Sequence, residues 1–125
     1  MAARAGKRVL VVDDDPDIRE ALAGILADEG YQVTACADGA QALAHLGAGS
    51  DPPCLILLDL MMPGMSGWEL HARLRRDPDL AGIPVVVISA GHNLQAAAES
   101  LDVAGFLAKP LQLDQLLTTV AQVCG

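Results

Sequence analysis

Arg-Val-Leu-Val-Val-Asp-Asp-Asp-Pro, residues 8–16, carries the reading of the fold: four apolar residues with no polar alternation, then three acids, then a proline. A strand with one wet face alternates apolar and polar side chains, whereas a strand covered on both faces reads as one apolar run. Val9 to Val12 is such a run, and Leu55-Ile-Leu-Leu58 and Val85-Val-Val-Ile88 repeat it. With two weaker stretches, the expected strands are Arg8 to Val12, Gln32 to Cys36, Leu55 to Leu58, Val85 to Ser89 and Ala104 to Leu107.

Between the strands, apolar residues recur at the helical period. Ile18, Ala21, Leu22, Ile25 and Leu26 form the first stripe; Leu94, Ala97, Ala98 and Leu101 the fourth; Leu113, Leu116, Leu117 and Val120 the fifth. Ala40 to Leu46 and Gly67 to Arg76 make the second and third helices, with a loop from Gly47 to Pro53 between helix two and strand three. Pro16 suits a first helical turn, and Asp15 and Asp38 suit capping, because a side-chain acceptor there satisfies backbone N–H groups that lack a helical partner. Gly30 then stops the first helix. Strands alternating with helices require right-handed crossovers, so the expected class is α/β: a doubly wound five-stranded parallel sheet with helices on both faces. One domain is expected over residues 7–125, after an N-terminal tail, 1–6. In such sheets ligands bind at the carboxyl ends of the strands.

The 125 residues are 52% hydrophobic, enough for a buried core, and carry a net charge of -8 from 16 acids against 8 Lys plus Arg. That balance argues against nucleic acid or an anionic membrane as a partner, since both require a positive face. It favours bound cations. No apolar run nears the roughly 20 residues of a membrane helix, and a cytoplasmic location is the default. Cys36, Cys54 and Cys124 are odd in number and lack metal-ligand spacing, so they read as reduced, mostly buried side chains. His45, His71 and His92 stand at no convincing spacing from a nucleophile, and the cluster Arg73, Arg75, Arg76 reads as a solvated helix face.

Four strand ends carry chemistry. Asp13, Asp14 and Asp15 follow the first strand, Asp59 the third, Ser89 ends the fourth, and Lys109-Pro110 follows the fifth. If the long apolar strands are neighbours, carboxylates converge and repel one another unless a cation intervenes. An all-oxygen donor set favours a hard ion such as Mg2+ over zinc or copper. Lys109, the only Lys or Arg after Arg76, needs an anionic partner in its apolar setting. A carboxylate, a dication, an ammonium and a hydroxyl around one point suit phosphoryl transfer, with Asp59 the candidate nucleophile.

VLVVDDDP, LILLDLMMPGMSG, VVVISA and GFLAKP, in that order, resemble the signature series of response-regulator receiver domains, the CheY-like proteins of two-component signalling. The resemblance covers about Lys7 to Val123. It implies a flavodoxin-like sheet of strand order 2-1-3-4-5. It also implies Asp59 as phosphoacceptor, Mg2+ or Mn2+ held by Asp13, Asp14, Asp59 and the backbone carbonyl of Met61, and Lys109 and Ser89 on the phosphoryl group. Ser89 and Phe106 would be the switch pair, and Lys109-Pro110 a cis peptide. The implied donor is a phosphohistidine of a sensor histidine kinase or histidine phosphotransfer protein. The receiver would catalyse only its own phosphorylation and dephosphorylation, and so is not an enzyme in the ordinary sense. It would signal to an unknown downstream protein through the face of the fourth helix, fifth strand and fifth helix, as a monomer or a weak phosphorylation-linked dimer.

Some positions depart from the commonest pattern. Leu111 replaces a frequent aromatic, Ser89 a frequent threonine, and Phe106 a frequent tyrosine. Met61 and Gly91 offer no acid or amide to accelerate hydrolysis, and with the sequence stopping at Val123-Cys124-Gly125 no output domain is expected within these residues, which read equally as a single-domain regulator or as a receiver cut from a longer protein. The competing readings are a receiver-like interaction module that acts without phosphate, a haloacid-dehalogenase-type phosphatase and a flavodoxin. Intact Asp59 and Lys109 weigh against the first. The second needs an acid where Met61 stands, and the Asp-rich turn would repel a flavin phosphate.

Overall fold

The computed structural model describes residues 7–48, 51–90, 96 and 101–124. Its elements run β1 (Arg8–Val12), α1 (Pro16–Asp28), β2 (Gln32–Cys36), α2 (Gly39–Leu46), β3 (Leu55–Asp59), α3 (Gly67–Arg76), β4 (Val85–Ser89), β5 (Gly105–Ala108) and α4 (Leu113–Cys124). All strand pairings are parallel, and the sheet order is β2-β1-β3-β4-β5. The expected class and order hold. The strand expected over Ala104 to Leu107 begins one residue later, and β3 extends to include Asp59. The helix expected around Leu94, Ala97 and Ala98 falls largely outside the described residues, while Leu101 packs against one side of the core.

The apolar runs divide between the two faces of the sheet by the period of two. Val9, Val11, Leu55, Leu57, Val86 and Ile88 point one way and are covered by Leu22 and Leu26 of α1 and Leu116 and Val120 of α4. Leu10, Val12, Ile56, Leu58, Val85 and Val87 point the other way, against Ala42 of α2 and Leu70 and Leu74 of α3. Each such side chain is worth about 1.5–3 kcal/mol on full burial, so the central strands hold the strand ends in fixed register.

Local signals set the helix ends. The Asp15 carboxylate accepts from the backbone N–H of Asp17 at 2.9 Å, Asp38 does the same for Gln41 at 2.8 Å, and Ser66 caps α3 through Glu69 N–H at 3.2 Å. Gly30, at φ +97°, takes the left-handed conformation that turns the chain from α1 into β2.

The cysteine expectation is corrected. Cys54 and Cys124 form a disulfide across 70 residues, with Cα atoms 5.4 Å apart, and only Cys36 is a free, buried thiol. Cys54 stands at the base of β3. Cys124 continues the inward stripe of Leu116 and Val120, and so reaches the same core cluster as Cys54. A chain-entropy account of a loop this long gives about 4 kcal/mol of stabilisation.

Candidate functional site

Register brings the acids together. Val12 pairs with Leu58 and Asp59 with Ile88, so Asp13 and Asp59 leave neighbouring strands at one level. Ser89 pairs with Ala108, and the Lys109 N–H donates to the Ser89 carbonyl at 2.9 Å, which carries Lys109 to the same rim. Lys109 Nζ lies 3.4 Å from Asp13 Oδ2 and 3.5 Å from Asp59 Oδ2. One carboxylate oxygen each from Asp13, Asp14 and Asp59 lies within 4.8 Å of the others. Asp13 and Asp59 are buried, and Asp14 opens to solvent.

This is an electrostatically tense arrangement, because one ammonium faces three carboxylates. Burial pushes the Asp59 carboxyl up to about 6. The Met61 N–H, donating to Asp59 Oδ1 at 3.1 Å, opposes that rise; the Asp13 charge adds to it, Lys109 works against it, and Asp14 adds a little more. Among the described residues three buried polar side-chain atoms have no hydrogen-bond partner, and two of them, Asp13 Oδ2 and Ser89 Oγ, belong to this site. Such atoms are costly unless a ligand uses them. Asp13 Oδ1 accepts from the Asp15 N–H at 2.9 Å, which turns Oδ2 toward Lys109. The oxygen-only donor set and its excess negative charge fit a hard divalent cation, with Asp13, Asp14 and Asp59 as the side chains able to hold it.

The remaining predicted residues lie nearby. The Lys109-Pro110 peptide is cis. Phe106 pairs with Val87, hence shares the Ser89 face of the sheet, and is partly buried against that face's core cluster. Met61, whose carbonyl was the fourth expected metal ligand, is adjacent to the acids through its N–H, and its side chain is exposed. Gly91 lies outside the described residues.

Two site residues were missed in the sequence. Arg19, one turn into α1, donates from Nη1 to the Asp13 carbonyl at 2.9 Å and so braces the acidic turn. Its only sequence signal is a cation six residues after Asp13. Gly67 marked a helix boundary, yet a Cβ there would stand 2.4 Å from the Asp59 carbonyl oxygen and 2.6 Å from the Leu60 Cα. The loop after β3 therefore folds back directly onto the backbone of Asp59, and the Gly67 N–H donates to the Leu60 carbonyl at 2.9 Å. A cleft of about 430 Å3 lined by His45, Asp51, Asp77 and Asp79 lies at the opposite, amino end of the strands and has no part in this site.

Residues 9–121 match the response regulator receiver domain. The chain is 38% identical over 112 residues to the response regulator MprA of Mycobacterium avium, an alignment covering 88% of this chain and 47% of that protein. It thus spans about half the length of the curated relatives it matches. Among solved structures, the chemotaxis protein CheY4 of Vibrio cholerae superposes with a TM-score of 0.84 at 30% identity, covering 95% of this chain and 99% of that one. The signal receiver domain of a signal transduction histidine kinase from Syntrophus aciditrophicus gives 0.86 at 29% identity, covering 95% and 90%. The match over nearly the whole chain, on a sheet whose rim gathers three acids and a lysine, makes this chain a member of the response regulator receiver domain family of two-component signalling.

Proposed function

We propose that this receiver accepts a phosphoryl group from a phosphohistidine of a sensor histidine kinase or histidine phosphotransfer protein onto the carboxylate of Asp59. An Asp59 oxygen attacks phosphorus, the N–P bond breaks, and the histidine leaves with the electron pair. Charge on the transferring group spreads over its equatorial oxygens, so the task of the site is positioning and electrostatic stabilisation. Mg2+ or Mn2+, held by Asp13, Asp14, Asp59 and the carbonyl of Met61, would neutralise part of that charge. The Lys109 ammonium, already beside Asp59 Oδ2, supplies a second positive centre, and the Ser89 hydroxyl supplies a hydrogen-bond donor that has no other partner. Desolvation keeps Asp59 strained as a free anion, and bringing positive charge to it relieves that strain.

The observation that carries this reading is the convergence of three carboxylates within 4.8 Å, with one lysine touching two of them beside an unpartnered buried hydroxyl. In the same reading, a new anion at Asp59 draws Ser89 toward it, Phe106 turns into the space released, and the face of β5, α4 and the segment before β5 changes shape. That face would meet a downstream protein, with the chain a monomer or a weak phosphorylation-linked dimer. The receiver unit would be residues 7–125 with a tail at 1–6, working in the cytoplasm and acting on no substrate but its own phosphoryl group. Among the described residues no helix is long and apolar enough to cross a membrane.

The test is incubation with Mg2+ and a small-molecule phosphodonor, followed by intact mass. One added phosphoryl group on the native chain and none on Asp59→Asn is the expected result. No addition to the native chain overturns the reading, and equal addition to both overturns the assignment of Asp59.

A further inference from the structure

The amino ends of the strands, far from the acidic rim, hold a second chemically active feature. The Cys54 N–H donates to the Arg8 carbonyl at 2.8 Å, joining the bases of β1 and β3. Lys7 Nζ donates to the Cys124 carbonyl at the end of α4. The Cys54–Cys124 disulfide closes this cluster and enclosed within it are β3, α3, β4, β5 and α4.

We propose that Cys54 and Cys124 are a thiol–disulfide exchange site whose co-reactants are small thiols and small disulfides, and whose state sets how firmly the last turn of α4 is held to the base of β3. Three observations carry it. Cys54 is only partly buried whereas Cys124 is buried, so an incoming thiolate has one sulfur to attack. The bond adds about 4 kcal/mol of chain-entropy stabilisation, yet the core does not run through it: the five-stranded sheet is covered on both faces and α4 is anchored through Leu116 and Val120 as well. Breaking the bond therefore frees a helix end and leaves the domain folded. The third cysteine, Cys36, is buried at the end of β2, and burial pushes its thiol up, so it makes a poor competing nucleophile.

In reduction, a small thiolate attacks the Cys54 sulfur, a mixed disulfide forms, and Cys124 leaves as a thiolate that takes up a proton. A second small thiol attacks the mixed disulfide on its small-molecule sulfur and releases Cys54. The products are two protein thiols and one small disulfide. Oxidation runs the same steps backward, with the small disulfide accepting the two electrons. After reduction the final turn of α4 is held by Lys7 and by packing alone, and a helix end held so frays.

The experiment equilibrates the native chain in glutathione buffers of varied thiol-to-disulfide ratio, quenches with an alkylating agent in denaturant, and counts adducts by intact mass. Amide exchange of the last turn of α4 is followed in parallel. We expect the count to pass from one to three of the three cysteines as the ratio rises, and the amides near Val120 to Cys124 to exchange about tenfold faster in the reduced form through local openings that urea does not accelerate, whereas β1 and β3 exchange only through urea-sensitive unfolding of the whole fold. Cys124→Ser should show the faster exchange at every ratio. Three adducts in every buffer, or one in every buffer, overturns the proposal, as does a titration that leaves α4 exchange unaltered. Asp59 labelling is not a readout here, so failure of this proposal and failure of the phosphoryl reading are separate results.

Discussion

Asp59→Asn should stabilise the metal-free protein at neutral pH. The substitution preserves shape and leaves Oδ1 free to accept from the Met61 N–H, while removing a buried negative charge beside Asp13. A carboxyl raised from 3.8 to about 6 binds its proton more tightly in the folded chain than in the unfolded one. Its ionisation therefore costs nothing below the unfolded value and costs fully above about 6, so native stability falls as pH climbs through that window. The full difference is about 3 kcal/mol, with the opposing attraction of Lys109 already included. Urea unfolding of the native and variant chains in EDTA, at steps from pH 4 to 8, isolates the effect of this site, because carboxylates remote from it contribute alike to both. The two stabilities should converge near pH 4, and the variant should lead at pH 7 by about that amount. A flat difference, or a native chain that gains on the variant as pH rises, would refute the reasoning. Mg2+ at about a hundredfold over its Kd should then add about 2.7 kcal/mol to the native chain and less to the variant.

Lys109→Gln strips the one ammonium from two buried carboxylates; it should cost about 1–3 kcal/mol at pH 7 in urea unfolding and abolish phosphodonor labelling. Gly67→Ala drives a methyl group into the backbone of Asp59 and Leu60, a clash no rotamer relieves, so a loss of about 1–3 kcal/mol and slowed labelling are expected from unfolding and intact-mass time courses. Asp15→Ala removes the α1 cap and should lower stability by about 1 kcal/mol with labelling retained, which separates the capping acid from its two neighbours.

The central strands were legible in the sequence because their environment is written in composition. Only strands covered on both faces carry runs such as VLVV, LILL and VVVI, and all three lie fully inside the sheet. The caps Asp15 and Asp38 were legible too, since each acts on a residue two or three positions away; the equally local cap Ser66 was not read from the sequence. Strand-end position placed Asp13, Asp59, Ser89 and Lys109 at one rim once the strand order was assumed.

Long-range pairing was not legible. Nothing near Cys54 or Cys124 marks them as partners across 70 residues; the bond exists because the inward stripe of α4 ends against the base of β3. Arg19 and Gly67 were invisible for the same reason, as one reaches a carbonyl in a turn and the other meets a folded-back backbone. Local chemistry, meaning periodicity, caps and which residue types end each strand, is encoded within a few neighbours and can be read in one dimension. Distances, burial and the strained charge of Asp59 depend on which distant segments the packed core holds side by side, and those come only from the folded chain.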